Sequence, residues 1–145
     1  MISEVDSFDL QRFVDAQEIV FDSVIEELKN GRKVSHWMWF IFPQIKGLGY
    51  SEMAQYYAIK NLDEAEKYLE HPVLGKRLVE CTSFVMATQN KSITEIFGTP
   101  DDAKFFSCMT LFSNVKNSND LYKQVLDIFF DQKSDTATID IIRSK

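Results

Sequence analysis

The sequence has few of the residues from which metal centres, disulfide frameworks and redox sites are built. It contains two cysteines and two histidines, and His36 and His71 are far apart in the chain, so no metal site is expected. Cys81 and Cys108 stand among apolar residues and match no metal-ligand spacing, which predicts reduced thiols in the core. Nucleophile elbows, P-loops and zinc-binding helices are missing too, so no cofactor is expected.

Long apolar runs and basic clusters are also absent. No stretch approaches the roughly 20 apolar residues that a membrane-spanning helix needs, so no membrane partner is expected. The net charge is -6 and the pI about 4.9. Such an acidic chain repels a phosphate backbone, and nucleic acid is not an expected partner. The polar residues 1–6 do not resemble a signal peptide, which together with the reduced cysteines predicts a cytoplasmic protein.

Apolar and helix-forming residues are plentiful. With 145 residues, 45% of them hydrophobic, the chain is expected to form one domain with a substantial core. Apolar residues at three-and-four spacing predict a long helix over residues 8–29, ended by Gly31. Ser51, Asn61 and Ser92 are predicted to cap later helices. No hairpin signal appears, so the sequence predicts an all-α, compact single-domain bundle of about eight helices, with its oligomeric state open.

The densest aromatic cluster lies at residues 36–44. Its sequence is His36-Trp37-Met38-Trp39-Phe40-Ile41-Phe42-Pro43-Gln44. A short helix is predicted to end near Ile41, because Phe42 precedes a proline. On such a helix Trp37 and Trp39 point in different directions. Trp37 is therefore expected in the core, whereas Trp39 is equally well placed for the core or for the wall of a groove.

This cluster resembles the signature of the DUF1810 family of uncharacterised proteins. The similar segment covers residues 33–44 and continues as Gly47-Leu48-Gly49-Tyr50-Ser51. Further similar blocks are Leu10-Gln11-Arg12-Phe13, His71-Pro72-Val73-Leu74-Gly75 and Ser107-Cys108-Met109-Thr110-Leu111-Phe112. The resemblance covers roughly residues 7–131 of the single domain expected at 1–145. It implies a small, mainly helical cytosolic protein of bacterial type. Because the family's function is unknown, no catalytic role can be carried over to this chain.

A candidate anion site follows the aromatic cluster. Gly47 and Gly49 allow the backbone to bend and to approach a ligand closely. A helix is predicted from Ser51 to about Ile59, and the free N–H groups at its start would face the glycine loop. Lys46 would add positive charge. A plain turn with a serine cap explains the same residues equally well.

A small-molecule site is predicted where this loop meets the aromatic cluster. Trp39 and Tyr57 would wall a pocket for an anionic or nucleotide-like ligand, and Gln44 would give it a polar contact. His36 is the candidate catalytic acid or base, with Glu52 or Asp101 as its carboxylate partner.

Lys33 and Lys104 complete the predicted ligand-binding residues. Lys33 lies within one turn of His36 in sequence. Lys104 begins a polar stripe that continues with Ser107 and Thr110 at three-residue spacing, which is typical of one helix face. The stripe is interpreted either as one wall of the site or as a solvated face.

Three functional interpretations follow. The first is a protein that binds a small anionic ligand, with hydrolase or transferase chemistry if His36 acts in catalysis. The alternative is a non-catalytic protein-interaction module that uses the aromatic cluster as a partner-binding patch. In the third, the cluster is entirely core and the imidazole of His36 is satisfied by a backbone carbonyl.

Overall fold

The structure is a computed structural model that describes residues 6–144, and this range contains nine α-helices. In chain order they are α1 (Gln11–Lys29), α2 (Met38–Ile41), α3 (Glu52–Tyr56), α4 (Leu62–Glu70), α5 (Leu74–Met86), α6 (Ile93–Phe97), α7 (Asp101–Ser113), α8 (Leu121–Phe129) and α9 (Thr136–Ser144). The predicted all-α class is confirmed, with one helix more than expected. No helix of the described range has the length and apolar character of a membrane span. Residues 1–5, which carry most of the signal-peptide argument, lie outside the described range.

Helix α7 forms the middle of the core. It packs against α4, α6, α8 and α9. Its buried residues are Phe105, Ser107, Cys108, Met109, Thr110, Leu111 and Phe112. Cys81 and Cys108 are free and buried, as predicted, and burial raises the pKa of Cys81 to about 12.

The polar stripe on α7 is mostly internal, which corrects its interpretation as a solvated face. Ser107 and Thr110 are buried. The hydroxyl of Ser107 donates to the carboxylate of Asp135 at 2.8 Å, and the hydroxyl of Thr110 accepts the backbone N–H of Asp135 at 2.9 Å. The carboxylate also accepts the hydroxyl of Thr138. These two α7 hydroxyls therefore hold the start of α9 against the core, and Lys104 is the stripe residue that stays partly exposed.

Local end signals place several helix boundaries as predicted. Helix α1 is followed by Gly31, whose φ is +73°, a left-handed conformation that favours glycine. The side chains of Ser51, Asn61 and Ser92 each accept the backbone N–H of the residue three positions on. These side-chain caps satisfy N–H groups that have no partner within the helix.

The helix predicted from Ser51 to about Ile59 is shorter than expected, because α3 ends at Tyr56. Beyond it, Ile59 forms an isolated parallel bridge with Ile45. The N–H of Ile59 donates to the carbonyl of Gln44, and the N–H of Lys46 donates to the carbonyl of Ile59, both at 2.8 Å. The hydrogen bonds of this bridge replace the helical hydrogen bonds expected up to Ile59.

Candidate ligand site

Trp37 belongs to the core and orders the loop before α2. Its side chain is buried, and its indole N–H donates to the carboxylate of Glu27 at 3.0 Å. The same carboxylate accepts the backbone N–H groups of Val34 and Ser35 and the hydroxyl of Ser35. Burial raises the pKa of Glu27, but the hydrogen bonds from Ser35, Val34 and Trp37 outweigh it, so the pKa lies below its usual value. Glu27 therefore anchors this loop as a carboxylate.

Three of the predicted ligand-binding residues, Lys33, Trp39 and Lys104, meet around Asp101. The ammonium of Lys33 lies 2.8 Å from the Asp101 carboxylate and 5.1 Å from the ring centre of Trp37. The ammonium of Lys104 lies 3.7 Å from the same carboxylate and 5.5 Å from the ring centre of Trp39. The cluster carries two positive charges and one negative charge. Its ion pairs and cation–π contacts fasten the loop before α2 to the first turn of α7.

His36 is exposed and directly precedes Trp37 in the chain. Its imidazole has no hydrogen-bond partner in the described range, and neither Glu52 nor Asp101 forms an ion pair with it. Gln44 is half-buried, and its backbone carbonyl accepts the backbone N–H of Ile59 in the bridge. A catalytic role for His36 stays a prediction, with no carboxylate positioned to orient the ring.

Backbone conformation and close packing explain why glycines occupy positions 47 and 49 of the loop. A Cβ atom on Gly49 would lie 2.6 Å from the Cβ of Ala54, so only glycine fits against α3 there. Gly47 has a φ of +112°, which also favours glycine. The hydroxyl of Ser51 accepts the backbone N–H of Ala54 at 3.1 Å, as expected of a serine cap. Helix α3, which follows the loop, has five residues and so little more than one helical turn.

The bridge places Lys46 and Lys60 side by side. Each lysine follows one of the two bridged isoleucines, Ile45 and Ile59, which are 1% and 0% exposed. Successive side chains of extended backbone point to opposite faces, so both lysines project away from the core on the same side. Both are exposed, and neither forms an ion pair in the described range.

These lysines line a cavity of about 260 Å³, here called the lysine cavity. Its lining residues are Asp9, Arg12, Lys46, Gln55, Tyr56, Ala58 and Lys60. Of the predicted site residues, Lys46 is the one that lines it. Lys46 and Lys60 carry two positive charges and Asp9 carries one negative charge, while the charge of Arg12 is neutralised by an ion pair. The net charge of the side chains around the cavity is therefore positive.

Arg12 fixes the inner wall of the lysine cavity. Its guanidinium is buried and donates to the carbonyls of Tyr56 and Ala58, at 2.9 and 3.0 Å. It also pairs with the carboxylate of Glu64 at 2.9 Å. The other carboxylate oxygen of Glu64 accepts the backbone N–H of Lys60 at 2.8 Å. The backbone before and after Ile59 is therefore held in place in the absence of a ligand.

Tyr57, a predicted wall residue, lies behind the cavity rather than in its lining. Its ring packs against Phe13 and Phe40, with ring centres 5.8 and 5.2 Å apart. Of this pair of neighbouring tyrosines, one is expected to pack and the other to face a site, and it is Tyr56 that lines the cavity. The rings of Tyr56 and Tyr57 are in edge-to-face contact, with ring centres 4.8 Å apart. Burial, followed by the charge of Tyr56, raises the pKa of Tyr57. The flat aromatic surface at the cavity is thus one residue earlier than predicted.

A larger cavity, of about 440 Å³, lies between α4, α5 and the turn that joins α7 to α8. None of the predicted site residues lines it. Its walls come from residues 66–79 and from residues 115–122, which are far apart in sequence, so no local motif predicts the cavity. As for metals, no group of three His, Cys, Asp or Glu side chains within residues 6–144 is arranged to hold an ion.

Comparisons with known proteins agree with this fold. A family model described as "Protein of unknown function (DUF1810)" matches residues 7–142, which extends the resemblance seen in the sequence into α9. A solved structure, the crystal structure of the conserved hypothetical protein Rv1873 from Mycobacterium tuberculosis, is 48% identical. The alignment covers 95% of this chain and 99% of that one, with a TM-score of 0.93. No curated protein matches significantly.

The family model spans nearly all of the described helices, and the solved structure shares their arrangement. At 48% identity over almost the full length of both chains, the likeness reaches beyond a shared fold. The chain therefore belongs to the DUF1810 family, whose function is unknown.

Proposed function

We propose that the protein binds a small anionic ligand in the lysine cavity. The observation that carries the proposal is the placement of Lys46 and Lys60, two lysines held side by side with no ion pair in the described range. In a chain of net charge -6, such a local reversal of charge favours an anion at this place. A phosphate or carboxylate would bridge the two ammonium groups.

The lining supports a ligand with a planar organic part. Tyr56 is 57% exposed and lines the cavity, and Gln55 adds an amide. A cavity of about 260 Å³ is smaller than the roughly 300–1,000 Å³ of sites for drug-sized ligands. The anionic group would occupy the cavity, while a base or another flat ring would lie on Tyr56. A mononucleotide or a similar aromatic phosphate has both parts.

We propose ligand binding alone and no catalytic reaction in the lysine cavity. His36, Trp39 and Lys104 line neither the lysine cavity nor the cavity of about 440 Å³. The hydrolase or transferase chemistry assigned to His36 remains a prediction. If it occurs, the ligand would reach from the lysine cavity towards the cluster around Asp101, or bind at that cluster alone.

A thermal-shift screen of nucleotides, sugar phosphates and metabolite acids tests the proposal. A ligand at 100 times its dissociation constant adds about 2.7 kcal/mol to the free energy of unfolding, which is a shift of several degrees. We expect a shift for the wild type that is lost in Lys46→Gln and in Lys60→Gln. Lys123→Gln, at an exposed lysine on α8, is the matched control and should keep the shift.

His36→Ala separates the two parts of the predicted site in the same screen. Because the imidazole has no hydrogen-bond partner in the described range, this variant should be as stable as the wild type. A ligand shift retained in His36→Ala and lost in both lysine variants supports the lysine cavity. A shift that survives both lysine variants, or no shift with any compound, would count against it.

A second candidate function is a protein-interaction surface on α3. None of the five residues of α3 is buried, and Tyr50, Met53 and Tyr56 are 84%, 40% and 57% exposed. Exposed aromatic side chains anchor many protein interfaces. If this surface joins two copies of the chain, sedimentation should give a dimer for the wild type and a monomer for Tyr50→Asp. A wild-type monomer at high concentration would dismiss pairing through this surface.

A further inference from the structure

The cavity of about 440 Å³ is bordered by α4, by α5 and by the turn between α7 and α8. Its volume of about 440 Å³ falls within the range of small-molecule sites. Its apolar lining residues are Leu69, Val79, Val115 and Tyr122. Tyr122 and Val115 are buried, whereas Leu69 and Val79 are partly exposed. The cavity therefore has an apolar inner wall.

Gly75 shapes this cavity at the junction of α4 and α5. A Cβ atom there would lie 2.1 Å from the carbonyl oxygen of Leu69, so the two backbones approach as closely as glycine permits. His71 holds the turn between the helices, because its Nδ1 accepts the N–H groups of Val73 and Leu74. The resulting sharp corner brings the backbones of α4 and α5 together at the wall of the cavity.

Charged side chains line the cavity from separate elements. Glu66 and Glu70 come from successive turns of α4, Lys76 comes from α5, and Lys116 comes from the turn after α7. Within the described range, none of these carboxylates forms an ion pair with either lysine. Glu70 pairs only with Lys67, on its own helix, at 3.6 Å. The opposite charges therefore face one cavity without meeting.

We propose that this cavity binds a small zwitterion, an α-amino acid or a dipeptide with an apolar side chain. The ammonium group of the ligand would lie by Glu66 and Glu70, and its carboxylate by Lys76 and Lys116. Its side chain would cover the apolar inner wall. Charges held apart in this way are complementary to a ligand that carries both signs, and less so to one that carries a single sign. The site shares no residue with the lysine cavity, so either proposal stands or fails alone.

The test is a nuclear magnetic resonance titration of ¹⁵N-labelled protein with L-leucine and with leucyl-leucine. Leucinamide, which lacks the carboxylate, and N-acetyl-leucine, which lacks the ammonium, are the comparison ligands. We expect leucine or the dipeptide to shift the amide signals of residues 115–119 and of Gly75. Both comparison ligands should bind at least roughly tenfold more weakly, since each loses one charged contact.

Variants assign the two ends of the ligand. Glu66→Gln should weaken leucine binding and leave the affinity for N-acetyl-leucine unchanged, whereas Lys116→Gln should weaken leucine and leave leucinamide unchanged. Glu80→Gln and Lys123→Gln, at exposed positions outside the lining, should bind leucine as the wild type does. No amide shift at residues 115–119 at millimolar leucine and dipeptide, or equal binding of all the ligands, would overturn the proposal.

Discussion

The guanidinium of Arg12 and the carboxylate of Glu64 form an ion pair at 2.9 Å, with side chains 4% and 0% exposed. The pair joins α1 to α4 across 52 positions of the chain. Arg12 also binds the carbonyls of Tyr56 and Ala58, so the same pair fixes the segment that leads to Lys60. One buried contact thus contributes both to the fold and to the shape of the lysine cavity.

Glu64→Gln should be strongly destabilising. It leaves the buried charge of Arg12 without its counter-charge, and breaking a buried ion pair in this way costs about 3–5 kcal/mol. Urea unfolding followed by circular dichroism measures the loss. Lys67→Gln, which breaks the exposed pair with Glu70, is the control and should change stability by about 0.5 kcal/mol or less. Equal effects for the two variants would contradict the role given to Arg12 and Glu64.

The two tryptophans should differ in their contribution to stability. Trp37 is fully buried and bonded to Glu27, so Trp37→Ala should cost about 3–5 kcal/mol. Trp39 is partly exposed, and its removal should cost about 1–2 kcal/mol. Urea unfolding at low temperature compares the two variants. A larger loss of unfolding free energy for Trp39→Ala than for Trp37→Ala would show that Trp39, and not Trp37, is the core tryptophan.

Glu27 should make stability depend on pH. Its pKa in the folded protein lies below the usual value of 4.5, so the carboxylate stabilises the fold above pH 4.5. That contribution is lost as the pH falls from about 4.5 through the folded-state pKa. Unfolding free energies from roughly pH 6 to pH 3 should fall more steeply for the wild type than for Glu27→Gln. Parallel curves would mean that the hydrogen bonds to Glu27 contribute little.

Features set by neighbours in sequence could be predicted. The caps at Ser51, Asn61 and Ser92 and the end of α1 at Gly31 depend on residues within one helical turn, and the structure contains all four. The helix expected to reach Ile59 fails for a non-local reason. Ile59 bonds instead to a segment that lies 14 positions earlier, at Ile45, and this pairing ends α3 early.

The same distinction applies to the candidate site. Lys46 can be predicted as a site residue because it stands next to the glycine loop in sequence. Lys60 and Arg12 were missed, since only the bridge and the ion pair with Glu64 bring them to the cavity. Repetition of an Ile-Lys pair at residues 45–46 and 59–60 was the one signal in the sequence. It acquires meaning only when the pairing of the two segments is known.

Gly75→Ala should destabilise the corner between α4 and α5. The added methyl group would meet the carbonyl oxygen of Leu69 at 2.1 Å, and backbone atoms cannot rotate away as a side chain can. Overpacking of this kind costs about 1–3 kcal/mol. Thermal unfolding should show the loss, while Lys76→Ala, at the neighbouring exposed position, should stay within about 0.5 kcal/mol of the wild type. A Gly75→Ala protein with the thermal stability of the wild type would show that α4 and α5 are packed less closely at this corner.

Anion binding in the lysine cavity can be observed in an amide-shift titration of the protein with adenosine monophosphate. We expect shifts of the amide signals of Lys46, Gln55 and Lys60, which vanish in the Lys46→Gln/Lys60→Gln variant and weaken as salt is added. Shifts confined to Lys33, His36 and Lys104, or none at all, would contradict it.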